Sequence, residues 1–69
     1  MNQYYIRAII QDTFAVLNFV GNDRRLAVNG FMRQVGYLQS GQKLQLLELN
    51  LEGKLSDAYR LKIIDSKEG

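Results

Sequence analysis

The sequence predicts a small all-β domain, a five- or six-stranded antiparallel barrel or sandwich. Turn-forming residues recur at even spacing along the 69 residues, and the segments between them are rich in Ile, Val, Leu, Phe and Tyr. The chain has no proline that could interrupt a strand ladder. Turns are expected at Gln11-Asp12, Gly21-Asn22-Asp23, Asn29-Gly30, Gln39-Ser40-Gly41, Glu52-Gly53 and Ser56-Asp57.

Three of the segments between these turns are expected to be strands. The first alternates, with one apolar face formed by Tyr4, Ile6, Ala8 and Ile10. The second, Phe14 to Val20, is apolar on both faces apart from Asn18, which predicts a central strand. The last alternates Tyr59, Leu61 and Ile63 with Arg60 and Lys62, which is typical of a half-buried strand.

The leucine-rich run from Leu44 to Leu51 changes phase along its length. Leu44 and Leu46 lie on one face of a strand, whereas Leu47, Leu49 and Leu51 lie on the other. Because strand side chains alternate with a period of two, this run predicts either a bulge near Leu46-Leu47 or coverage of both faces.

Residues 24–38 fit two structures. As strands, they flank Asn29-Gly30, the dipeptide most typical of a tight hairpin. As a helix, they place one apolar arc on the core, made of Ala27, Val28, Phe31, Met32, Val35 and Leu38, with Asp23 as the N-cap. Gly30 and Gly36 disfavour the helix, so we favour the hairpin. The alternative is an α+β fold, an antiparallel sheet with one helix at about 24–38.

The composition argues against an enzyme. The chain contains no histidine and no cysteine, the side chains that most often act as general bases, nucleophiles and transition-metal ligands near neutral pH. A Ser-His-Asp triad, a disulfide and a Cys/His zinc site are all excluded. No phosphate-binding glycine motif is present. We therefore expect a non-enzymatic binding domain without a cofactor or metal.

The size of the chain favours self-association. We expect a single domain spanning residues 1–69, and a domain this small buries only about 60% of the surface of its unfolded chain. The apolar segments Phe14–Val20 and Leu44–Leu51 offer more hydrophobic surface than a small two-layer fold can cover. A homo-oligomer or a protein partner would cover it, as expected for an inhibitor or an assembly subunit. No apolar run could span a membrane and no signal peptide is recognisable, so we expect a cytoplasmic protein.

Basic and tyrosine residues suggest an alternative function, a nucleic-acid-binding β-barrel. Small barrels stack bases on aromatic rings while cations contact the phosphates, although the net charge here is only +2. If the hairpin forms, Arg24 and Arg33 oppose each other across it, and an anion between them would relieve their repulsion. The residues predicted to bind nucleic acid or an acidic partner are Arg24, Arg25, Arg33, Tyr37, Arg7, Arg60 and Lys62, the last two sharing a face with Arg7 if the terminal strands pair.

Overall fold

The computed structural model describes residues 2–50 and 61–69, which form one antiparallel sheet and one helix. The sheet has four strands in the order β2-β1-β3-β4. The elements are β1 (Asn2–Ile10), β2 (Phe14–Gly21), α1 (Arg24–Val35), β3 (Gln42–Asn50) and β4 (Leu61–Glu68).

The predicted five- or six-stranded barrel is wrong, whereas the alternative α+β fold is confirmed. The described strands number four, and β2 and β4 form the two edges of an open sheet. The β1–β2 hairpin occupies one side of β1, and β3 takes the other side after α1 has crossed the sheet. Because β1 and β4 are separated by β3, the two terminal strands do not pair with each other.

The helix α1 forms in the segment where the sequence predicts a hairpin, so that prediction is wrong. Its N-cap is Asp23, whose Oδ1 accepts hydrogen bonds from the backbone N–H groups of Arg25 and Leu26 at 2.9 and 3.3 Å. Ala27 and Phe31 are each only 1% exposed, because this face of α1 covers the sheet. Burial of these two side chains outweighs the roughly 1 kcal/mol that Gly30 costs within a helix. In the described part of the chain, no helix is long and apolar enough to cross a membrane.

The core lies between α1 and one face of the sheet, which we call the helix face. The buried side chains of the sheet in this core are Tyr4, Ile6, Leu44 and Leu46. Two register shifts add further apolar side chains to it. One shift leaves Val20 without a partner between Gly21 and Phe19, and the other does the same for Ile64 of β4. The second shift lies opposite Leu46 and Leu47, where the sequence predicts a bulge, although the extra residue belongs to β4.

The turns at Gln11-Asp12, at Gly21 and at Gly41 lie where the sequence predicts them. Gln11 and Asp12 both have positive φ, 52° and 58°, and Thr13 N–H donates to the Ile10 carbonyl at 3.1 Å. Two consecutive residues of positive φ are characteristic of the type I′ turns that close hairpins. The expected turns at Glu52-Gly53 and Ser56-Asp57, and the strand start at Tyr59, lie outside the described residues.

Candidate interaction surface

The strand β2 is an edge strand that exposes apolar side chains on both faces. We call its segment Phe14–Val20 the β2 edge. Phe14 and Val16, 59% and 37% exposed, lie on the helix face, because they oppose Ile10 and Ala8 of β1. Leu17 and Phe19, 49% and 55% exposed, lie on the opposite face of the sheet. The prediction of a central strand is therefore wrong, because a strand that is apolar on both faces here lies at the margin of the sheet.

The two edges of the sheet differ sharply in charge. All eight residues of β2 are uncharged, and no described strand pairs with its outer side. The other edge strand, β4, carries charges at four of its eight positions: Lys62, Asp65, Lys67 and Glu68. Charged side chains on an edge strand discourage pairing with another chain. Charged side chains thus disfavour the addition of a further strand at β4, whereas β2 carries no such charges.

The sheet face that is turned away from α1, here called the open face, carries a row of apolar side chains that begins at the β2 edge. One row of paired residues crosses all four strands, in the order Phe19, Tyr5, Leu47 and Ile63. The rings of Phe19 and Tyr5 meet edge to face with centroids 5.5 Å apart. Leu47 is 1% exposed, whereas Ile63 is 49% exposed. The leucine run is therefore buried on both faces at Leu46 and Leu47, as the phase change predicts.

The neighbouring row of the open face is polar. Arg7 Nε donates to Gln45 Oε1 at 2.8 Å, and Gln45 Nε2 donates to Ser66 Oγ at 3.5 Å. Leu17 of β2 opposes Arg7 at the end of this row. On this face the exposed apolar side chains therefore lie at the two edges, Leu17 and Phe19 on β2 and Ile63 on β4, whereas Leu47 between them is buried.

The structure does not bring the four predicted site residues of 24–38 together. Arg24 and Arg33 are nine positions apart on α1, which places them on opposite sides of the helix and about 13 Å apart along its axis. The expected opposition across a hairpin is therefore wrong. Arg24 Nη1 lies 3.5 Å from Glu48 Oε2, whereas Arg25 is exposed in the first turn. Tyr37, which follows the helix, is 80% exposed.

The predicted cluster on the terminal strands is also divided. Arg7 lies on the open face, whereas Lys62 opposes Glu48, which in turn opposes Tyr4 on the helix face. The expectation that Arg7 and Lys62 share a face is wrong, because β3 separates their strands and the two residues point to opposite sides of the sheet. Arg60 lies outside the described residues. Whether any of these side chains binds an anion stays a prediction.

Sequence reasoning missed the environment of Glu48. This residue interrupts the leucine run of the sequence, yet its side chain is only 15% exposed. Tyr4, itself 3% exposed, donates its hydroxyl to Glu48 Oε2 at 2.8 Å. This carboxylate accepts a hydrogen bond from a buried hydroxyl and forms an ion pair with Arg24. These contacts indicate a structural role for Glu48 and give no indication of acid–base catalysis.

A shallow apolar pocket of about 240 Å³ lies beside the C-terminal end of α1. Its walls include Ala8, Ile10, Leu38 and Leu44, and Lys43 is at its margin. The volume is below the roughly 300–1,000 Å³ of typical small-molecule sites. A pocket of this size suits a single inserted side chain better than a cofactor.

Comparison of the chain with protein-family models, with curated proteins and with solved structures finds no match. Within residues 2–50 and 61–69, no group of three acidic residues is arranged to hold a metal ion.

Proposed function

We propose that this chain is a small non-enzymatic binding domain that acts in protein–protein assembly through the β2 edge. The observation that supports the proposal is an uncharged edge strand whose apolar side chains stay exposed on both faces. An edge strand presents unpaired backbone N–H and C=O groups, so it can add a strand from another chain. Exposed apolar patches are typical of interaction sites.

The contrast between the two edges supports an interaction role for β2 in particular. Exposed apolar side chains also occur on β4, at Leu61 and Ile63, but there they alternate with charged residues. β4 carries four charges, three of which form ion pairs: Glu68 lies 3.2 Å from Lys43 Nζ, and Asp65 lies 4.0 Å from Lys67 Nζ. The lack of such protection at β2 is consistent with an edge that is covered in the assembled state.

Sedimentation equilibrium over about 10 to 500 micromolar protein tests the proposal, since this range brackets a weak association. We expect the apparent mass to rise from the monomer value of 7.9 kDa towards twice that value. Leu17→Lys places a charge in the middle of the β2 edge and is expected to keep the chain monomeric over the whole range.

Leu26→Lys is the matched control, because Leu26 is also an exposed leucine, 67% accessible, but lies on α1. It is expected to associate as the unaltered chain does. A monomer of unaltered chain at every concentration contradicts self-assembly, and undiminished association of Leu17→Lys contradicts the assignment to the β2 edge.

Nucleic-acid binding is the second candidate, and it is supported by one specific observation. Tyr37, which follows α1, is 80% exposed, so its ring is available to stack on a base, and Arg33 in the last turn of α1 supplies a cation in the same segment of the chain. Titration of labelled single-stranded DNA and RNA from about 50 to 200 mM salt tests it. Arg33→Ala is expected to reduce the salt slope by about one, whereas Lys67→Ala on the β4 edge is expected to leave it unchanged. No binding in the low-salt buffer contradicts this candidate.

A further inference from the structure

We propose that the partner of the β2 edge is a second copy of this chain, whose own β2 adds antiparallel about a two-fold axis at Leu17. The product is a continuous eight-stranded sheet. This inference rests on the proposed function, and it goes further by naming the occupant, the direction of the strand and the register.

Symmetry limits the registers that are available. A two-fold axis perpendicular to the sheet relates two antiparallel strands and leaves both copies of α1 on the same face. Residues that oppose each other across the two strands must have their side chains on the same face of the sheet. The axis therefore lies beside a residue that opposes its own copy, and not beside a peptide bond. An axis at Leu17 pairs residues 14–20 of the two copies, and Val20, the residue at the register shift, then lies at the end of the new ladder.

The side chains of β2 are self-complementary in this register. Leu17 opposes the partner's Leu17, and the small Ala15 opposes the partner's Phe19 on the open face. On the helix face, Phe14 opposes the partner's Val20, and Val16 opposes the partner's Asn18, the one polar side chain of the segment. None of the seven paired positions carries a charge, so the two copies meet without like-charge repulsion.

The helix does not obstruct this edge. Phe14 and Val16 lie on the same face of the sheet as α1, yet they remain 59% and 37% exposed. In the dimer these side chains lie on the sheet surface between the two copies of α1. The second β2 therefore covers apolar surface on both faces of the sheet at once.

The buried area fits a weak dimer. A phenylalanine has roughly 200 Å² to bury, so the exposures of Phe14 and Phe19 leave roughly 100 Å² on each. The four phenylalanines of a dimer thus contribute roughly 400 Å² of buried surface. A contact made by one pair of edge strands therefore buries less than the roughly 1,200–2,000 Å² of standard stable interfaces. We expect an equilibrium between monomer and dimer at micromolar concentrations.

Single-cysteine cross-linking tests the register, because the natural sequence contains no cysteine. Leu17→Cys places two thiols opposite each other, within the Cα–Cα limit of about 7 Å for a disulfide. In a glutathione redox buffer, we expect it to form a covalent dimer at least tenfold faster than Leu26→Cys. Circular dichroism of each variant establishes that it is folded.

A mixing experiment tests the direction of the strands. Ala15→Cys and Phe19→Cys are each expected to remain monomeric, because like positions lie about 13 Å apart in this register. Mixed, the two variants are expected to form a covalent heterodimer. Fast cross-linking of Ala15→Cys with itself, or equal rates for Leu17→Cys and Leu26→Cys, overturns the register.

The two proposals fail in different ways. If Leu17→Lys abolishes association while Leu17→Cys does not cross-link, the β2 edge is an interaction surface and only the register proposed here is wrong. If Leu17→Lys does not affect association, the proposed function itself is wrong.

Discussion

Replacement of Gly30 by alanine should stabilise the fold. Gly30 lies within α1, its φ is not positive, and a Cβ atom built on it has no neighbour within 4 Å. The added methyl group therefore meets no obstacle, and the helix gains most of the roughly 1 kcal/mol by which alanine exceeds glycine in helix interiors. For a domain of this size, 1 kcal/mol raises Tm by roughly 4–8 °C. Urea unfolding followed by circular dichroism at low micromolar protein measures the change, with association kept small.

Gly21→Ala is the matched control for this substitution. A Cβ atom built on Gly21 also has no neighbour within 4 Å, but its φ is +109°, which L side chains rarely adopt. We expect a loss of about 1–3 kcal/mol at this site. Since the two glycines differ in backbone conformation and not in available space, opposite signs support the helix. Destabilisation by Gly30→Ala refutes it and restores the hairpin, in which Gly30 needs positive φ.

Three further substitutions test local contacts, each by urea unfolding. Asp23→Ala removes the N-cap and is expected to cost about 1 kcal/mol, whereas Asp23→Asn is expected to retain most of the stability; equal losses contradict the cap. The double change Gln11→Asn with Asp12→Gly suits two positive φ angles and is expected to stabilise the hairpin by about 1 kcal/mol, so a loss contradicts this turn. Glu48→Ala leaves the buried Tyr4 hydroxyl without its acceptor and is expected to cost about 1–3 kcal/mol; if Tyr4→Phe does not reduce that cost, the hydrogen bond does not stabilise the fold.

Local features of the fold were predictable from the sequence where they depend on neighbouring residues. The turn at Gln11-Asp12 and the two faces of the leucine run follow from turn chemistry and strand periodicity. The choice between hairpin and helix at 24–38 was not predictable, because Asn29-Gly30 favours one and Asp23 with its apolar arc favours the other. Tertiary packing decides, since Ala27 and Phe31 cover the sheet only when this segment is helical.

The position of a strand within the sheet was not predictable by the same means. Phe14 to Val20 reads as a central strand because both faces are apolar, a pattern that is normal when neighbours cover them. Strand order depends on the route of α1 and on the pairing of β3 with β1, and neither is encoded in the periodicity of β2. β2 has the apolar composition of a central strand but lies at the edge of the sheet. This mismatch is the reason for proposing β2 as an interaction surface.

Amide hydrogen exchange of β2, followed by NMR at several protein concentrations, tests the role of the β2 edge most directly. In the monomer, the outward N–H groups of β2 have no partner among the described strands and should exchange fast. Our account predicts that their exchange slows as the concentration rises from about 20 micromolar to about 1 millimolar, while the outward amides of β4 do not change. Unchanged exchange along β2 at all concentrations, or protection of β4 instead, would contradict it.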